Sequence, residues 1–174
     1  MSKRVFRAIA LGSVVLLAGV SAYSVAGAES RNFRASLHGY EENPDISTVA
    51  HGSFVAQLSV DGDSIHYVLS YSGFETAVTA AHVHFGKPGV NGGVSFFLCS
   101  GPSAPACPQG GGTVEGDVDA DDVVGPNAQG IAPGEFDEIV AAMKAGHAYA
   151  NVHSSTFPGG EIRGQLRPGG GSGD

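Results

Sequence analysis

The pattern that most restricts the fold of this chain is a strict alternation of apolar and polar residues over short segments. In residues 52–60 the apolar side chains, from Phe54 to Val60, fall on one face of an extended chain. Successive side chains of a β-strand point to opposite faces, so this alternation is typical of a half-buried strand. The Asp-Gly-Asp at 61–63 predicts a tight turn, and residues 65–71 then return as the second strand of a hairpin.

Segments of the same kind recur at 33–37, 80–85, 94–99, 113–120, 148–153 and 161–166. A single helix is predicted at residues 135–145, because acidic residues occupy its first turn, Lys144 its last, and Gly146 follows. The chain contains 27 glycines and no tryptophan, which suits a turn-rich β-protein. Eight strands and one short helix predict an all-β fold, either a Greek-key β-sandwich or a flattened barrel.

The amino terminus has the features of a secretory signal peptide. Lys3, Arg4 and Arg7 precede an apolar run at 8–20, and an Ala-Gly-Ala sequence then ends residues 1–28. A membrane anchor is the alternative, but the apolar run has about a dozen residues and spanning needs ~20. The sequence therefore predicts Sec-type export, a secreted or periplasmic location, and no stable membrane insertion after cleavage.

Length and charge limit what the exported chain does. Removal of residues 1–28 leaves 146 of the 174 residues, enough for one domain at 29–168 followed by a flexible, glycine-rich tail at 169–174. The leader carries three positive charges, so its loss changes the net charge from −8 to −11. A surface this acidic disfavours nucleic acid as a partner.

Two cysteines, Cys99 and Cys107, are separated by seven residues, and the chain has no others. In an exported chain such a pair predicts a disulfide bond. Closing so short a loop stabilises the fold by about 2.5 kcal/mol in the chain-entropy model. A pair of cysteine metal ligands is the alternative, but no neighbouring histidine completes it.

Histidines supply the candidate chemistry. Residues 81–85 read Ala-His-Val-His-Phe, and in a strand His82 and His84 project from the same face. His153, near the end of the strand predicted at 148–153, completes a three-histidine site if that strand lies beside the first. All-imidazole ligation suits copper, with zinc as the alternative ion. The competing interpretation is a solvent-facing histidine pair with no ligand.

Three further side chains are candidates to support such a site. Tyr149 and Asn151 share a face with the third histidine and are predicted to orient an imidazole. Arg163 is expected to have a structural role, either pairing with Glu161 or Glu75 or capping carbonyl groups at the end of the sheet. No motif of a hydrolase or a nucleotide-binding loop occurs, so no catalytic residue is assigned.

Two longer stretches of the chain resemble the signatures of CHRD (chordin-type) domains. The first comprises residues 81–86, 88–89, 92–94 and 98–99, and the second comprises residues 136–146, 148–153 and 158–166. The resemblance extends over residues 33–167. It implies a secreted β-domain of a family to which no general biochemical activity is attached.

A weaker resemblance links residues 82–86, 152–153 and 160–164 to the copper-binding segments of copper–zinc superoxide dismutases. It implies a dismutase-like β-barrel in which His82, His84 and His153 are copper ligands and Arg163 lies near the open coordination position. The bridging histidine and the zinc loop of those enzymes are missing, so the resemblance implies a copper-only site.

The sequence therefore predicts a secreted CHRD-domain protein that binds a transition metal, with copper first, through three histidines. Two alternatives stay open. One is a non-enzymatic adhesion module that contacts another secreted or surface protein without metal. The other is a copper-only enzyme similar to superoxide dismutase.

Overall fold

The computed structural model describes residues 30–169, so the predicted signal peptide and residues 170–174 of the predicted tail lie outside it. The described residues contain nine β-strands, three short 3-10 helices and one α-helix. The strands are β1 (Asn32–His38), β2 (His51–Leu58), β3 (Ile65–Ser72), β4 (Val78–Phe85), β5 (Gly93–Cys99), β6 (Gly111–Val118), β7 (Ala148–Ser154), β8 (Ile162–Gln165) and β9 (Arg167–Pro168), and α1 is Phe136–Lys144. Within this part of the chain, no helix has the length and apolar character that crossing a bilayer requires.

The strands form one antiparallel sheet in the order β5-β4-β7-β8-β1-β2-β3-β6, and β9 pairs with β1. The two end strands, β5 and β6, approach each other, so the sheet nearly closes into a flattened barrel. This confirms the predicted all-β class with one short helix. The short strand β9 was not predicted, because a dipeptide carries no alternation.

The inner face of the sheet holds the hydrophobic core. Along β1 and β2 the residues alternate between exposed and buried, as the sequence predicts, and Phe33, Leu37 and Phe54 are buried. Val60 was predicted to continue the face of Phe54, but the strand does not reach it: β2 ends at Leu58, and Val60 is 89% exposed. α1 buries its apolar side, including Ile139, near β7 and β9.

The predicted disulfide is present. Cys99 at the end of β5 is bonded to Cys107, their Cα atoms are 5.0 Å apart, and both residues are buried. The bond closes the loop that leads from β5 towards β6. Cys99 itself pairs in the sheet with Ala81 of β4.

Candidate metal centre

The sheet order brings the three predicted histidines together on the outer face. β4 lies between β5 and β7, and His82 and His84 project from it opposite the core residues Ala81 and Val83. His153 comes from β7, where it pairs in register with Ala80 and is therefore diagonal to His82. The register between β4 and β5 also shifts twice around the two β4 histidines. Such bulges re-aim side chains next to functional sites.

The three imidazoles surround a common point. Nδ1 of His82 is 3.1 Å from Nε2 of His153. The ring centroids of His82 and His84 are 5.4 Å apart, and those of His84 and His153 are 5.9 Å apart. One nitrogen from each ring lies within 4.8 Å of the others, so a single ion between them can reach all three.

Burial keeps these imidazoles uncharged. His84 and His153 are 7% and 8% exposed, while His82 is half-buried. Loss of hydration, together with the neighbouring imidazoles, lowers the pKa of His82 to about 3. Burial likewise lowers the pKa of His84 to about 4 and lowers the pKa of His153. At neutral pH all three rings are neutral and hold a lone pair that a metal ion can accept.

Backbone carbonyls fix which nitrogen carries that lone pair. Nδ1 of His84 is 3.0 Å from the carbonyl oxygen of Gly92, and Nδ1 of His153 is 3.0 Å from that of Pro158. A carbonyl only accepts hydrogen bonds, so both Nδ1 atoms carry the proton and both Nε2 atoms carry the lone pair. Nε2 of His153 accepts a hydrogen bond from His82, whereas Nε2 of His84 is buried without any partner.

Aromatic rings enclose two sides of the trio. The ring of Tyr149 stacks on His84 with a centroid distance of 4.8 Å and an interplanar angle of 3°. The Tyr149 hydroxyl accepts a hydrogen bond from the Gly92 amide, next to the carbonyl that holds His84. Phe97 of β5 packs edge-on against His82 at 4.6 Å. Tyr149 thus contacts an imidazole directly.

Asn151 hydrogen-bonds to no imidazole. Its amide donates instead to Glu42, at 2.6 Å, and to the carbonyl of Ile162, at 2.8 Å. Sequence reasoning missed Glu42, since it lies in an irregular loop and no local pattern marks it as buried. It is only 7% exposed, and burial raises the pKa of its carboxyl to about 7, against the lowering effects of Asn151 and Arg163.

Arg163 is buried against the ring of Tyr149. Its guanidinium donates to the carbonyl oxygens of Lys87 and Val90 and to the side chain of Asn91, and its Cζ lies 3.4 Å from the Tyr149 ring centroid. The expected ion pair with Glu161 or Glu75 is wrong, because within residues 30–169 Arg163 pairs with no carboxylate. The alternative expectation, that it caps carbonyls, matches these contacts.

The described chain is thus an all-β protein of the flattened-barrel class, with a histidine trio, two of its members buried and one half-buried, on the outer face of its sheet. The family model of the CHRD domain matches residues 33–166, and the chain belongs to this family. Searches of curated proteins and of solved structures found no match. The weaker similarity to superoxide dismutases therefore has no support from these comparisons.

Proposed function

We propose that this CHRD-domain protein binds one transition-metal ion, copper before zinc, through His82, His84 and His153, in a secreted or periplasmic setting. The role is binding or storage of the ion, and no catalytic residue is assigned.

The observation that carries this proposal is the unused Nε2 of His84. A buried polar atom without a partner costs on the order of 1–3 kcal/mol, and native proteins rarely leave one. A histidine that merely fills a sheet surface would pair both nitrogens or expose one to water. Here Nδ1 is held by Gly92, Nε2 has no hydrogen-bond partner, and one ring nitrogen of His84 lies within 4.8 Å of a ring nitrogen of each of the other two histidines. A metal ion gives that lone pair its partner.

The donor set indicates the class of ion. Imidazole suits copper and zinc, and copper(II) is bound more tightly than zinc at equal availability. Hydrogen bonds from Nδ1 to carbonyl groups, as at His84 and His153, are the usual outer contacts of metal-binding histidines. His82 is the most exposed of the three histidines.

An oxidising location has two independent supports. The disulfide between Cys99 and Cys107 is typical of secreted and periplasmic proteins. The basic, apolar and small-residue order of residues 1–28 is typical of a cleaved leader.

The test is elemental analysis of protein exported to the periplasm, followed by competition titration of the metal-free protein with copper and with zinc. We expect one equivalent of metal in the wild type and at least a 100-fold loss of affinity in His84→Phe. His66→Ala is the matched control, because His66 is an exposed histidine paired with Asp117 on another part of the sheet.

Equal copper affinity in the wild type and in the triple variant H82A/H84A/H153A would defeat the proposal and leave the adhesion module as the better interpretation. A superoxide assay on the copper-loaded wild type tests the dismutase alternative, for which we expect no activity above free copper.

A further inference from the structure

We infer that the histidine trio holds copper in the cuprous state in preference to cupric copper or zinc. This inference rests on the proposed function and adds the charge of the ion that the site selects. It follows from the charges around the trio and from the number of donors that the chain offers.

The trio contains no negative ligand. Among residues 30–169, the group able to hold an ion consists of His82, His84 and His153 alone, with no carboxylate. Both cysteines are tied in the disulfide, so no thiolate is available. The electrostatic cost of taking an ion out of water rises steeply with its charge, and neutral imidazoles do not offset that charge. A monocation is therefore favoured over a dication.

A buried positive charge adds to this preference. Cζ of Arg163 lies 3.4 Å from the Tyr149 ring centroid, and that ring lies 4.8 Å from the His84 ring. Added together, the two distances put the guanidinium carbon at most about 8 Å from the His84 ring. An ion held about 8 Å from the guanidinium would, at an effective dielectric constant of ~20, be disfavoured about 30-fold for each positive unit charge. A dication incurs this factor twice.

Glu42 is the carboxyl that interacts electrostatically with Arg163, and it offsets the positive charge of the guanidinium only in part. Its hydrogen bond to Asn151 holds it on the same side of the sheet as Arg163. Burial raises the pKa of Glu42 to about 7, so below that pH the guanidinium is left without a full countercharge.

The trio also lacks a fourth protein donor. Zinc takes four ligands in all, of which water can be one, and cupric copper prefers a tetragonal set, whereas three donors suffice for the cuprous ion. The rings packed against the trio are Phe97, which has no donor atom, and Tyr149, whose hydroxyl is engaged with Gly92. Among the histidine, cysteine and carboxylate side chains of residues 30–169, none adds a fourth donor to the trio.

The test compares dissociation constants of the folded protein for cuprous, cupric and zinc ions at about pH 6, where Glu42 is mostly protonated. Cuprous binding is measured without oxygen, in ascorbate, by competition with bicinchoninate. The disulfide is checked by mass, because free thiols would bind cuprous copper themselves. We expect the cuprous ion to bind at least about 30-fold more tightly than the cupric ion, which corresponds to a shift of about 90 mV in the potential of bound copper.

Arg163→Gln removes the charge and keeps an amide that donates to the loop carbonyls. We expect its cupric affinity to rise about 30-fold more than its cuprous affinity. Arg167→Gln is the matched control, since Arg167 is exposed on β9, and its preference should equal that of the wild type. Should Arg163→Gln fail to fold, Glu42→Gln at about pH 8 is the alternative test. It removes the carboxylate that offsets the Arg163 charge, so we expect a stronger cuprous preference than in the wild type at the same pH.

Cupric copper or zinc bound as tightly as cuprous copper would overturn this inference and leave the metal site intact. An unchanged preference in Arg163→Gln would overturn it too. Failure of every ion to bind would instead reject the proposed function itself.

Discussion

Replacing Glu42 by glutamine should remove a pH-dependent part of the free energy of unfolding that the buried carboxyl creates. Burial raises the pKa of this carboxyl from 4.5 to about 7. The folded state therefore holds a proton between these two values that the unfolded chain has already lost. As a result, the wild type loses stability as the pH rises through this window and loses no more above it.

The size of the effect follows from the shift. Each pKa unit corresponds to about 1.36 kcal/mol, so the full shift is worth about 3 kcal/mol. The loop that carries Glu42 lies near solvent, and screening reduces this to about 2 kcal/mol. Glutamine keeps the oxygen that accepts the hydrogen bond from Asn151. We expect the variant to match the wild type near pH 4 and to be about 2 kcal/mol more stable near pH 8.

Urea denaturation of metal-free protein at a series of pH values measures this difference. The lowered pKa values of His82 and His84 make the stability of the wild type and of Glu42→Gln rise with pH up to about 6.5. This rise is the same in the two proteins, so it cancels when their free energies of unfolding are subtracted. Glu41→Gln is the matched control, because Glu41 is the exposed neighbour in the chain. A difference curve for Glu42→Gln that is flat with pH, or that superimposes on the Glu41→Gln curve, would refute the reasoning.

Three further changes have defined outcomes. Replacing Cys99 and Cys107 together by serine should lower the free energy of unfolding by about 2.5 kcal/mol in urea denaturation, and equal stability would contradict the entropic argument. Gly160→Ala forces a Cβ within 2.7 Å of the Asn151 amide at a φ of +130°, so we expect a loss of about 2 kcal/mol or more in the same assay, with Gly159→Ala, where space is open, as the control. In Glu42→Gln, which lacks the titrating carboxyl, copper affinity should fall far less between pH 8 and pH 5 than three ordinary imidazoles require, because burial lowers the pKa values of His82, His84 and His153; a fall as steep as three ordinary imidazoles give would contradict this.

The candidate site was predictable in part, for reasons that differ between its residues. His82 and His84 are two apart in one strand, and period-two geometry places them on one face wherever the strand lies. His153 is 69 residues beyond His84 in the numbering, and only the insertion of β7 between β4 and β8 brings it near. Glu42 has no local signal, because an irregular loop carries no periodicity from which burial can be read.

The role of Arg163 depended on long-range contacts in the same way. From the sequence its partner was open between carboxylates and carbonyls. The structure places it against the loop at 87–91, so carbonyls and an amide take its hydrogen bonds and Tyr149 takes its planar face.

The sequence by itself determined eight of the nine strands, the helix, the cysteine pair and the two neighbouring histidines. Each of these follows from side-chain alternation, capping or short separation along the chain, which act over a few residues. The tertiary structure alone decided the order of strands in the sheet, the arrival of His153 and the burial of Glu42 and Arg163. These depend on which distant segments pack together, and the free energy that selects such packing is spread over the whole core and encoded in no single segment.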